Sequence, residues 1–292
     1  MIRIQRLYQK PHIPEGFYGR NRVGKQRLLL DWIRTAGSVE RIIWKPSIWK
    51  AAKRLLKRET SGKCAYCEAP AAGRSTNRSE KGGLVAHCDV EHFRPKCKYW
   101  WMAHNYENFV LSCEVCNQSF KGDRFPAAKA LEAPFIPGNV YTDTGLNQLA
   151  HDLAPDPLDE FARAKWQSEL TREDADLANP LHEEPEKLFS YQADDVLEQV
   201  YIQPLAKKGR ANSRASSTIN ILGLNREDLR FARWDVYSIV LVFKHVLGDS
   251  GISKDTLNIV RQQVKKMTSN THAFAGMVRY FVCKKWKLLI NP

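Results

Sequence analysis

A chain of 292 residues can bury at least one sizeable core and has room for two compact regions. Its hydrophobic fraction of 43% is ordinary, but a net charge of +13 and a pI near 9.4 are not; they favour a polyanionic partner over an acidic small substrate. The opening MIRIQRLYQKPHIPEG lacks the apolar stretch of a secretory signal, and the strongest apolar run, SIVLVF at 238–243, is far too short to cross a bilayer, so a cytoplasmic protein is expected.

The charge is unevenly spread. Residues 1–60 carry 15 Lys and Arg against 4 Asp and Glu, residues 61–126 carry 9 against 7, residues 127–200 carry 5 against 16, and residues 201–292 carry 16 against 5. Composition therefore divides the chain into a basic helical region at 1–60, a near-neutral core at 61–126, an acidic loop-rich connector at 127–206 and a basic helical region at 207–292. A single basic run is usually a solvated helix face; two such blocks favour a nucleic-acid channel.

In chain order, RVGKQRLLLDWIRTAG predicts a helix with Leu28, Leu29, Trp32 and Ile33 on its apolar face and Gly37 as its stop. Pro46 opens a second helix with Ile48, Ala51, Leu55 and Leu56 as its stripe. Cys64 and Cys67 form a tight turn, followed by a polar loop from Ala71 to Gly83, and LVAHCDVEHF reads as a strand or hairpin. Tyr106 to Leu111 leads as a short helix or turn into Cys113 and Cys116. The acidic connector has breakers at Pro137-Gly138, Pro155 and Pro157, with short helices expected near 158–170 and 185–189. Asn225 is expected to cap a long helix whose buried face is Leu229, Ala232, Val236, Ile239, Val240 and Phe243. Two further helices are expected near 253–268 and 272–288.

The chemistry concentrates between Cys64 and Gly122. Two Cys-x-x-Cys knuckles, Cys64/Cys67 and Cys113/Cys116, suit a closed tetrahedral zinc site. All four ligands are thiolates, so this zinc is structural and does not activate water. Cys88 and Cys97 lack knuckle spacing and read as core or loop thiols. Between the knuckles stands Glu91-His92. A neutral imidazole can take a proton from water near pH 7, and a carboxylate can hold a hard divalent cation. Adjacent strand residues point to opposite faces, so the two share a site only at a bend or an edge. Asn108 and Asn117 add amide oxygens that serve either as turn caps or as neutral ligands. Arg94, Lys96, Lys98, Lys121 and Arg124 flank the motif where phosphate contact makes sense, and Trp100 and Trp101 read as core indoles with base stacking as the alternative.

The order Cys-x-x-Cys, acid-His, Asn, Cys-x-x-Cys-Asn, Lys-Gly resembles the zinc-knuckle HNH (ββα-metal) endonucleases. That resemblance implies an α+β, mostly helical fold with a central ββα-metal core. It implies His92 as general base, Asn108 as the residue that orients it or its loop, and Glu91 and Asn117 as ligands of a catalytic Mg²⁺ or Mn²⁺. Two positions depart from the pattern: Glu91 stands where Asp is usual, and Asn117 where His is common. KCAYCE, VEHFRPK, YENFVLSCEVCN, KGDRFP, ANPLHEEPEKLF and STINILGLNREDLRFAR are similar to the PtuB-like HNH nucleases of Septu-type and retron-associated anti-phage systems. The similarity runs over about 64–235, with a gap near 130–175. It implies a PtuA-like ATPase partner and, for retrons, a reverse transcriptase with its RNA–DNA hybrid. The expected function is hydrolysis of phosphodiester bonds in DNA or RNA, tRNA included. The rival reading is a zinc-stabilised nucleic-acid-binding or adaptor subunit that docks the ATPase without catalysis.

Overall fold

The computed structural model describes residues 1–71, 88–134 and 142–288. Among the described residues the chain is rich in helix and holds two small antiparallel sheets of two strands each. It divides into two compact units: one takes Gln5–Glu59 and Cys88–Asp176, the other Met1–Ile4, Thr60–His87 and Leu177–Pro292. Ala72–Gly83 of the expected polar loop, Leu84–His87 of the expected strand, and Pro137-Gly138 lie outside the described residues.

In the first unit, α1 runs Gly19–Ala36 and stops where Gly37 turns left-handed at φ 72°, its N–H bonding back to Ile33. The buried face is Gln26, Leu29, Leu30 and Ile33. Leu28, expected inside, is 42% exposed; it lies off the stripe of Gln26, Leu29, Leu30 and Ile33, in which Gln26 donates Nε2 to the Trp101 carbonyl at 3.0 Å. The second helix breaks into α2 (Ser47–Lys50) and α3 (Lys53–Glu59), burying Trp49, Ala52, Leu55 and Leu56, while Ala51 is exposed.

Strand β1 (Cys88–His92) pairs with β2 (Phe109–Cys113), Cys88 opposite Cys113 and His92 opposite Phe109. A wide, π-type helical turn, Val115–Lys121, follows directly. Both α2 and α3 pack on the hairpin. Arg6 fixes it from the side: its guanidinium pairs with Glu59 at 3.0 Å and donates to the Tyr106 and Phe109 carbonyls at 2.8 Å each. The acidic stretch is more ordered than its composition suggests. Here α4 (Asp143–Leu153) packs on α1, and α5 (Glu160–Thr171) lies close to the helix expected at 158–170, its first N–H groups capped by Asp159.

In the second unit, β3 (Phe189–Asp194) and β4 (Gln199–Pro204) form a hairpin where a connector was expected, with only a 3-10 turn at Pro185–Lys187 before it. Phe189, Tyr191, Val200 and Ile202 alternate inward. Helices α6 (Arg210–Ile221) and α7 (Glu227–Gly248) pack on β4, and α7 packs on α8 (Lys254–Thr268). The last expected helix is the short α9 (Ala275–Arg279) continued by a π-type turn, Tyr280–Lys285. Asn225 does not cap α7. It bonds both the N–H and the C=O of Ile202, at 2.9 and 2.8 Å, and so clips β4 to the helix start. The buried face of α7 is Leu229, Arg233, Tyr237 and Val240, and Ile239 is 49% exposed. Arg233 can lie inside because its guanidinium donates to the Leu224 carbonyl at 2.6 Å.

Among the described residues, no helix is long and apolar enough to cross a membrane.

Candidate active site

Cys64, Cys67 and Cys116 are buried and Cys113 is partly so; their sulfurs lie within 4.8 Å of one another. Four sulfurs bound to one zinc at about 2.3 Å stand about 3.8 Å apart, so this donor set fits a tetrahedral ion. The knuckle geometry is visible in each pair. The Cys116 N–H points at Cys113 Sγ at 3.4 Å, and the turn after Cys64 closes with a Glu68 N–H to Cys64 carbonyl bond at 3.1 Å. Arg226 brings a guanidinium nitrogen to 3.8 Å from Cys67 Sγ, a cation that favours thiolate there. These four cysteines could hold a zinc ion. Cys97 is exposed, and burial followed by Asp123 raises its thiol pKa, which suits no ligand role.

His92 ends β1 and is 6% exposed. Its ring is held edge-on by Trp49 and Phe109, with centroids at 5.0 and 5.1 Å, and Nε2 meets the Ala103 carbonyl at 3.0 Å. A carbonyl accepts, so Nε2 carries the proton and Nδ1 is the basic nitrogen. Burial pulls the pKa down to about 3, and the imidazole is neutral.

Asn108 organises the connection between the strands. Its Oδ1 accepts from the Arg94 N–H at 2.8 Å, and its Nδ2 donates to the carbonyls of Arg94 and Met102 at 2.9 and 3.3 Å. The same connection presents Ala103 to His92. Asn108→Ala removes all three bonds and leaves an N–H and two carbonyls buried; a loss of about 2–4 kcal/mol is expected in the urea midpoint, and a change under about 1 kcal/mol would contradict the role.

Glu91 and Asn117 both lie where β1 faces the π-type turn, and they have different partners. Glu91 pairs with Lys121 Nζ at 2.6 Å, while Asn117 Nδ2 donates to Asp89 at 3.1 Å. Asp89 and Glu91 are two apart on a strand, and Asn117 and Lys121 four apart on a helical turn, so the two pairs form successive rungs between the elements. Asp89 was missed by sequence reasoning. Its place at the same strand spacing as Glu91 was the available signal. The rung leaves Oδ1 as the acceptor end of Asn117. A carboxylate and an amide oxygen suit a hard divalent cation in kind, with Lys121 already on one oxygen of Glu91. His92 faces the aromatic side of the strand and Glu91 the helical side, as strand alternation requires.

The expected phosphate contacts divide. Arg94 is buried, its Nε on Glu173 at 2.7 Å, and Tyr99 also donates to Glu173. Lys121 is 1% exposed, with Nζ on Glu91 and on the His92 carbonyl at 3.0 Å. Both charges are paired inside the protein. Lys98 and Arg124 are exposed and Lys96 is half-buried. Trp100 and Trp101 are core residues.

His104 lies on the same connection, with Nδ1 against the Lys25 carbonyl at 2.9 Å, and burial holds its pKa at about 4. The unfolded value lies near 6.5, above the folded one, so its contribution to stability is full above about pH 6.5 and is lost as pH falls toward 4. Between pH 7 and 4.5 this amounts to about 2.5 kcal/mol. Urea midpoints taken across that range should fall more steeply for the unmodified chain than for His104→Gln; equal slopes would refute the assignment.

No family model matches the chain, and no solved structure does. The Septu protein PtuB of Bacillus mycoides (strain KBAB4) is similar, at 24% identity over 193 residues, which cover 62% of this chain and 48% of that protein. The chain thus spans about half the length of the curated relative it matches.

Proposed function

We propose that this chain is a metal-dependent endonuclease of the HNH type, the nuclease component of a Septu-like anti-phage system that works in the cytoplasm with an ATPase partner. The observation that carries the reading is the coupling of His92 to Asn108. The imidazole is fixed through Nε2 by a loop that Asn108 ties at Arg94 and Met102, on a hairpin backed by a helical turn. The similarity to a protein named for a Septu system supports the defence role.

In this reading His92 Nδ1 accepts a proton from the attacking water. Asn108 is a positioning residue that acts through the loop. Glu91 and Asn117 are the side chains that would hold Mg²⁺ or Mn²⁺; because Glu91 and His92 lie on opposite faces of β1, the phosphate would have to reach both around the strand's end, where His92 is the last residue. When bound, that cation neutralises charge on the scissile phosphate. Lys96, Lys98 and Arg124 contact the backbone of DNA or RNA.

The test is cleavage of plasmid DNA, single-stranded DNA and total tRNA, with and without Mg²⁺ or Mn²⁺ and with and without the ATPase. Cation-dependent cutting of one class supports the proposal. Absence of cutting with the ATPase present and zinc bound would defeat it. The Glu91–Lys121 pair favours a second reading, a zinc-stabilised adaptor in which a buried ammonium permanently occupies the carboxylate; retained nucleic-acid binding without cleavage would select it.

A further inference from the structure

The indoles nearest the motif in sequence, Trp100 and Trp101, are 5% and 4% exposed and cannot meet a base. An indole that can stands just before α2. There Ile43 is 85% exposed, Trp44 is half-buried and Lys45 is exposed. The ring of Trp44 leads back to the candidate centre. Its centroid lies 6.5 Å from that of Trp49, and Trp49 stands edge-on to His92 at 5.0 Å. Lys96 Nζ sits 5.9 Å from the centroids of both indoles. From Arg41 to Arg58 the sequence has seven basic side chains and no acidic one.

An exposed aliphatic side chain beside a half-open indole, set among cations of one sign, calls for a partner with both flat apolar faces and negative charge. A nucleic-acid strand has both. Aromatic stacking tolerates any base, and a nearby cation strengthens it and meets the backbone. A base inside a duplex is already stacked, so the fit is to an unpaired one. We infer that Trp44, with Ile43 and Lys96, is a docking site for an unpaired nucleobase of a single-stranded nucleic acid lying beside His92. The inference rests on the reading of this hairpin as a nucleic-acid centre, and it names the kind of strand handled there. An anionic membrane surface shares part of this chemistry, but the row of rings ending on His92 favours a strand.

The experiment measures binding, so it stands apart from cleavage. Fluorescence anisotropy of labelled dT20 and U20 is followed with the full chain, no added divalent cation, and the oligonucleotide checked intact afterwards. Trp44→Ala is expected to weaken binding roughly 5- to 100-fold, the range that stacking of one base is worth, and Trp44→Phe to retain most of it. A 20-mer of abasic sugar-phosphate should bind the unmodified chain as weakly as dT20 binds Trp44→Ala. The dT20 and U20 arms separate DNA from RNA as the source of the base. Should Trp44→Ala fail to fold, the abasic comparison decides alone. Equal affinity for abasic and normal strands, no binding of either, or a Trp44-dependent affinity for phosphatidylglycerol vesicles exceeding that for dT20 and U20 would overturn the inference. A chain that binds through Trp44 and never cuts keeps it and loses the nuclease reading.

Discussion

Cleavage by the His92→Ala chain is expected to fall by about 10²–10⁴-fold, the usual contribution of a positioned base. The geometry sets the control. The imidazole packs against Trp49 and Phe109 and bonds Ala103, so Ala also opens a cavity and frees a buried carbonyl. His92→Gln keeps an N–H that can reach the same carbonyl and lacks a basic nitrogen. It should be as inactive as Ala while losing less stability. If Gln restored more than about a tenth of the rate, His92 would be a packing residue and the base would lie elsewhere. The low pKa of His92 does not oppose the role, because a phosphodiester brings negative charge, and negative charge nearby raises an imidazole's pKa.

The second large effect concerns zinc. Cys64→Ser should remove the metal from the purified chain, read by atomic absorption, and lower the melting temperature by about 5–8 °C. A structural zinc contributes its binding energy to folding, and a loss of roughly 3–5 kcal/mol produces a shift of that size in a chain of this length. Cys97→Ser is the matched control. Cys97 is exposed and stands outside the four-sulfur cluster, so its variant should keep both zinc and melting temperature. A Cys64→Ser chain that kept both its zinc and its melting temperature would count against a structural zinc at these four sulfurs.

The parts of this fold legible in the sequence are those written in local spacing. The two knuckles follow from Cys-x-x-Cys alone, and α1 ends where Gly37 predicts. The misread helix faces share one physical cause: polar side chains on core faces. Gln26 and Arg233 are buried because each finds a backbone carbonyl, Trp101 and Leu224 respectively, and a pattern that seeks apolar stripes passes over them. Leu28 and Ile239 were consequently assigned inward. The partners of Arg94 and Lys121 are invisible in a local reading, Glu173 lying 79 residues from Arg94. The hairpin at 189–204 was legible in the alternation of Phe189, Tyr191, Val200 and Ile202, but its acidic surroundings read as linker. At the candidate site the residue types were readable, while the pairing of Glu91 with Lys121 and of Asn117 with Asp89 depends on how β1 and the π-type turn meet.

The interleaving of the two units has a consequence during synthesis. Every residue of the first unit has been made once the chain reaches Asp176, whereas the second still lacks Leu177–Pro292. At ordinary translation speeds that remainder takes roughly 6–25 s. The thiols of Cys64 and Cys67 are made early and belong to the unit completed late. They pass through an interval of incomplete burial in which a disulfide or a misplaced metal would compete with the proper ion. Maturation of this chain is therefore expected to respond to the redox poise and free zinc of the compartment where the ribosome works.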